Sequence, residues 1–209
     1  MTCTAVVVVG GSAGSHRTLL SLVAGLPADL PAAVLVVVHV GAGTSSQLPQ
    51  ILNREGPLPS AHATDGAALL DSEITVAPPD FHLVIEDKSV RLDRGPWVNR
   101  VRPAVDVLFE SAARTYGARV TAVVLSGTMD DGAVGAAMVS LAGGQVLVED
   151  PDQAAHGSMP RAALNAAPGA MAIPAAELAA AVVRALDRLA LRYAGSGWEA
   201  GRTAAGRQR

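Results

Sequence analysis

Apolar positions along the chain follow two rhythms. Residues 4–9, 33–38, 119–125, 145–148 and 170–173 are short apolar runs, rich in valine, with no polar alternation through them. Strands buried on both faces of a parallel sheet have this pattern. Residues 16–24, 45–53, 103–116 and 132–141, between these runs, carry apolar residues at helical spacing. In the third of these segments Val105, Leu108, Phe109 and Ala112 share one face, and Pro103 suits a first helical turn. Residues 175–193 predict a long terminal helix. The alternation predicts an α/β fold with a doubly wound, mainly parallel sheet, a Rossmann-like three-layer arrangement.

The middle of the chain breaks the rhythm. Residues 74–77 predict a strand, and residues 81–85 and 90–93, joined by Glu86-Asp87-Lys88-Ser89, predict a hairpin. Together they form an expected antiparallel addition to the sheet, within one domain spanning residues 1–194. Residues 195–209 are rich in Gly, Ala and Arg without periodicity, and predict a disordered tail.

Composition narrows the function. Half of the 209 residues are apolar and 17% are charged, enough for a large core. The net charge of −3, with no basic block before the tail, argues against nucleic acid as a partner. The single cysteine, Cys3, supplies neither an intrachain disulfide nor a cysteine zinc site. No apolar run approaches the ~18 residues of a membrane span, and no signal peptide is evident, so the expected compartment is the cytoplasm.

In a parallel α/β sheet, functional groups collect beyond the carboxyl ends of the strands. The first apolar run leads into Gly10-Gly11-Ser12, the second into His39, and the third into Ser126-Gly127-Thr128-Met129-Asp130-Asp131-Gly132. One sheet edge therefore presents a serine, a histidine and an aspartate: a nucleophile, a general base and a group to orient the base. Each has a plainer reading. Ser12 could cap a helix, His39 could be structural, and Asp130 and Asp131 could complement the dipole of the helix that follows. Their joint placement at three strand ends favours catalysis. His16, His62, His82 and His156 are weaker candidates for the base, and no metal-ligand spacing links them.

The turn at Gly10–Gly14 matches neither a dinucleotide fingerprint nor a P-loop, since serines stand at the third and sixth positions and no Gly-Lys-Ser/Thr is present. It does match G-x-S-x-G, a turn that exposes a serine between strand and helix. The order Ser, His, Asp and the nine residues before Gly10 argue against a standard α/β-hydrolase.

Six stretches in order, VVVVGGSAGS, VVVH, ITVAPPDFHLVI, VNRVRPAVDVLFESAA, VVLSGTMDDGAVGA and HGSMPRAAL, resemble the catalytic domain of the chemotaxis receptor methylesterases, the CheB protein-glutamate methylesterase family. The resemblance covers residues 4–190. It implies Ser12 as nucleophile, His39 as general base and Asp131 as orienting acid. Asp131 is preferred because it directly precedes the glycine of the family's Asp-Gly pair, a choice the residues alone leave open. The resemblance further implies an oxyanion and substrate cleft involving Ala13, Thr128, Met129, Arg100, Arg102 and Met159, lined by residues 99–106 and the Met159-Pro160-Arg161 turn. The implied reaction is hydrolysis of glutamate γ-methyl esters on chemoreceptor helices, with glutamine deamidation as a related activity and no cofactor. The implied partners are a methylated protein substrate and, because the chain opens on the catalytic domain's first strand, a separate receiver or kinase. Ser15, Val40 and Thr128 depart from the family's usual residues, and none belongs to the triad. The alternative expectation is a regulatory or docking domain that keeps this fold without catalysis.

Overall fold

The computed structural model describes residues 3–39 and 46–194. The expected tail at 195–209, Val40 and the predicted helix start at residue 45 lie outside the described residues.

Seven strands form one wholly parallel sheet. They are β1 (Val6–Gly11), β2 (Ala33–Val38), β3 (Ser60–His62), β4 (Ile74–Val76), β7 (Val120–Val124), β8 (Gln145–Glu149) and β9 (Met171–Ile173), with β5 (His82–Glu86) and β6 (Ser89–Asp93) set apart. The order is β3-β4-β2-β1-β7-β8-β9. Every residue of β1, β2 and β7 is buried. The reason is visible in the alternation of side chains across a strand. Val6, Val8, Leu35 and Val37 enter one core with Leu108 and Phe109 of α3 (Val105–Tyr116) and Ala136 of α4 (Ala133–Leu141). Val7, Val9, Val34 and Val36 enter the opposite core with Leu19 and Leu22 of α1 (His16–Ala24), Leu52 of α2 (Leu48–Glu55) and Val182 of α6 (Leu178–Tyr193). Continuous valine runs are what a sheet covered on both faces requires.

Three local expectations change. The strand at Ile74–Val76 is no part of an antiparallel addition; it pairs parallel with β2 inside the main sheet. The hairpin β5–β6 forms its own two-stranded sheet and rests on α3, where the Ile85 N–H donates to Ser111 Oγ at 3.0 Å. The Met159-Pro160-Arg161 turn is the opening of a helix, α5 (Ser158–Ala166). Pro160 is tolerated there because first-turn residues have no intrahelical acceptor for an N–H. Strand β3, with His62 on it, was invisible in the sequence: it has three residues, two of them polar.

The chain moves from β1 outward to β2 and the edge strand β3, comes back to insert β4 between β3 and β2, and later lays β7 on the other side of β1. The carboxyl ends of β2, β1 and β7 therefore flank the point where the winding reverses, the position at which open α/β sheets bind their ligands.

Candidate active site

The strand ends themselves bring the three candidate residues together. In β1 and β2, Gly11 pairs with Val38, and in β1 and β7, Gly10 pairs with Val124. The ladders continue one step further. The His39 N–H donates to Gly11 O at 3.1 Å, and the Ser12 N–H donates to Ser126 O at 2.9 Å. Ser12 and His39 each stand one residue past the same strand pair, on chains about 4.8 Å apart.

Beyond Ser12 the chain turns at once. Gly14 has φ +78°, and a Cβ there would lie 2.6 Å from Ala155 Cβ and 2.9 Å from Ser126 Oγ. Only glycine meets both demands. Ser15, fully buried, donates from its hydroxyl to Ser12 O at 2.7 Å. The Ser15 hydroxyl thus ties the turn back on itself from within.

His39 Nε2 lies 2.7 Å from Asp131 Oδ2. Asp131 is 3% exposed and collects three more donors: Val105 N–H on Oδ2 at 2.7 Å, and Asn99 Nδ2 at 2.8 Å and Asp106 N–H at 3.2 Å on Oδ1. Val105 and Asp106 open α3, so the carboxylate sits on that helix's unsatisfied N–H groups and positive dipole end. Burial opposes the Asp131 charge, but the His39, Val105, Asn99 and Asp106 donors outweigh it and hold the carboxyl below its ordinary value of 3.8. An ionised carboxylate only accepts, so the ring proton belongs on Nε2 and the lone pair on Nδ1. Among the described residues, neither Nδ1 of His39 nor the Ser12 hydroxyl has a hydrogen-bond partner. They stand on neighbouring strands without a bond between them. Asp130, by contrast, is exposed, and its carbonyl accepts the Ala133 N–H at 3.0 Å.

Asp106 is also buried. Its Oδ1 accepts Gly135 N–H at 2.7 Å in the first turn of α4, and its Oδ2 accepts the second Asn99 amide hydrogen at 2.7 Å. Burial pushes the Asp106 carboxyl up against the pull of Gly135, and the Asp131 charge adds to the rise. Val105 closes the floor. Its isopropyl group abuts Gly10 closely, and a Cβ at Gly132 (φ +95°) would stand 2.8 Å from Val105 Cγ1.

The other expected residues fall into two groups. Ala13, Thr128, Met129 and Arg100 are exposed at the loops around the three strand ends. The N–H groups of Ala13 and Thr128 have no acceptor among the described residues. Arg102 and Met159 are placed otherwise. The Arg102 guanidinium is engaged with Asp80 and with the carbonyls of Arg94 and Gly95, so its donors brace a loop. Met159 is fully buried with its sulfur against Gly127, so it packs under the acid loop and does not line a cleft. Among the histidines outside the site, His82 has a defined structural task. Its Nδ1 accepts Ala104 N–H and its Nε2 donates to Pro96 O, pinning both ends of the loop that carries Asn99.

Sequence reasoning assigned no role to Ser126, although it heads the third strand end. Its carbonyl receives Ser12 N–H, its hydroxyl donates to Ala13 O at 2.8 Å and accepts His156 N–H at 2.9 Å, and its N–H donates to buried Glu149 at 2.7 Å. Glu149 in turn accepts the Thr18 hydroxyl at 2.8 Å. The signal was a serine standing level with Ser12 on the neighbouring strand.

Among the described residues, no three His, Cys, Asp or Glu side chains are grouped as metal ligands, and no helix is long and apolar enough to cross a membrane.

A family model described as CheB methylesterase matches residues 7–182. The chain is 35% identical over 181 residues to a protein-glutamate methylesterase/protein-glutamine glutaminase of Symbiobacterium thermophilum, covering 86% of this chain and 50% of that protein. It is 39% identical over 160 residues to a protein of the same description from Anaeromyxobacter dehalogenans, covering 77% and 47%. Its fold matches the crystal structure of the Thermotoga maritima CheB methylesterase catalytic domain with a TM-score of 0.80 at 32% identity, over 86% of this chain and 97% of that one. The chain spans about half the length of the curated relatives it matches.

Proposed function

This chain belongs to the CheB methylesterase family, and from that premise we propose that it is a serine esterase hydrolysing glutamate γ-methyl esters on chemoreceptor-type helices. Residues 1–194 form its catalytic domain in this reading. The observation that carries it is the His39–Asp131 pair, seated on the α3 N-terminus and set one strand away from Ser12.

The chemistry follows from the atoms. The Ser12 hydroxyl oxygen attacks the ester carbonyl while His39 Nδ1 takes its proton. Asp131 keeps Nε2–H in place and stabilises the imidazolium that forms. The Ala13 and Thr128 N–H groups are the main-chain donors for the developing oxyanion. Return of the proton to the methoxy oxygen releases methanol and leaves Ser12 acylated. Water, deprotonated by His39, then attacks the acyl carbon, and Ser12 leaves with the proton as the glutamate is freed. A glutamine side chain in the same position would release ammonia by the same steps. A receiver or kinase is the proposed regulatory partner.

The test is incubation with receptor helices carrying methyl-labelled glutamate. Labelled methanol appears with the wild-type chain and not with Ser12→Ala. Absence of release from the wild-type chain, or equal release from both, overturns the assignment.

A further inference from the structure

We infer that Asn99 is a positioning residue for this reaction: its side-chain amide bridges Asp106 and Asp131 and sets the angle at which Asp131 presents Oδ2 to His39. The inference rests on the catalytic reading above.

Asn99 occupies an unusual position. With Arg100 it forms the two-residue tip of a tight reversal, at φ 52° and 66°, closed by reciprocal Val98 and Val101 backbone hydrogen bonds of 3.2 and 3.0 Å. Both positive values are those of a type I′ turn, in which asparagine is favoured. The residue is itself exposed, yet its amide reaches inward to two buried carboxylates. Both contacts are to acceptor-only oxygens, so the NH₂ end must face them, and both amide hydrogens are used. Without Asn99, Oδ1 of Asp131 keeps only the longer Asp106 N–H bond at 3.2 Å, while Oδ2 keeps two bonds of 2.7 Å. The carboxylate is then held less firmly against rotation about its Cβ–Cγ bond. Asn99 also places a donor between two carboxylates whose charges repel.

The anchoring of the loop supports a dedicated role. His82 holds it at Pro96 and Ala104, and Arg102 holds it through Asp80, Arg94 and Gly95. An excursion fastened at both ends and delivering one amide to the acid is more structure than a connecting loop requires.

Two variants test the inference. Asn99→Gly keeps the left-handed backbone and removes only the amide. Asn99→Asp keeps the shape and replaces both donors with a third carboxylate. Each is assayed for kcat and KM separately, for melting temperature, and for the His39 ring N–H resonance by NMR. The expected result is a kcat lower by about ten- to a hundredfold in Asn99→Gly, the scale of a lost outer-shell partner. KM stays within about twofold, and the His39 N–H signal broadens or is lost. Asn99→Asp loses at least as much. Wild-type kcat and an unchanged His39 signal in both variants overturn the inference. So does a loss carried by KM with the His39 signal intact, which would make Asn99 a substrate contact. Should the wild-type chain show no esterase activity, the His39 resonance alone decides the positioning role.

Discussion

Asp131 and Asp106 cap each other's helices. Asp131, one residue ahead of the Gly132 that precedes α4, accepts the first N–H groups of α3, while Asp106, in the first turn of α3, accepts the Gly135 N–H of α4. Neither helix has a side-chain cap from its own N-cap residue, Ala104 or Gly132. Two of the orphaned donors of α3 and one of α4 are satisfied in this crosswise fashion, and Asn99 joins the two carboxylates. The acid that would orient His39 is thus also a fastening between two core helices.

This dual role separates the adjacent aspartates. Asp131→Asn leaves Val105 and Asp106 with a poorer acceptor and permits the wrong His39 tautomer. Its kcat falls by roughly a thousand- to ten-thousandfold. Asp130→Asn, at an exposed position, stays within about twofold. Methanol-release kinetics on the two variants decide the matter, and equal tolerance of both would remove Asp131 from its role.

Ser12→Ala lowers kcat by roughly ten-thousandfold or more. Among the described residues the hydroxyl supports no other group, so the melting temperature of this variant stays close to that of the wild-type chain. A fluorophosphonate probe labels the wild-type chain and not the variant, as read by intact mass.

The acid limb of stability should carry the signature of Asp131. Its carboxyl is held below 3.8 in the folded state, so its contribution is fully present above the unfolded value. That contribution drains away as pH falls from about 3.8 through the lower folded value. Urea unfolding of the wild-type chain and of Asp131→Asn should show a stability gap that is flat near neutrality and closes in acid. A gap that widens as pH falls would contradict the sign.

Ser126→Ala removes the partner of the Ala13 carbonyl and of the His156 N–H. A cost of about 1–3 kcal/mol follows from leaving such groups unmatched. Because Ser126 O still receives Ser12 N–H, the strand end stays in place while the turn loosens. Denaturant melts measure the first effect, and a kcat loss smaller than that of Ser12→Ala measures the second.

The strand ends were legible because parallel strands buried on both faces leave an unbroken valine signature, and whatever follows each run must lie on one edge. The choice between Asp130 and Asp131 was not legible from the residues. Both are short acids ahead of a helix, and only burial with four donors distinguishes Asp131. The helix at Ser158–Ala166 was hidden by Pro160, which reads as a breaker unless the first turn is known. The Asn99 turn had a local cue, Val-Asn-Arg-Val, a polar pair between two β-branched residues. What no cue supplied was its target, since the contacts from Asn99 to Asp106 and Asp131 depend on how two distant helices meet.

Val105 has one further consequence. Its isopropyl group fits only because Gly10 below and Gly132 beside it carry hydrogen where other residues carry carbon, and its N–H holds the Asp131 oxygen that faces His39. The spacing of the acid from the base is therefore calibrated by two positions that point away from any ester. A methyl group added at either would act as a shim, displacing Val105 and with it the seat of Asp131. A change in the packing interior would be felt as an error of alignment between Asp131 and His39.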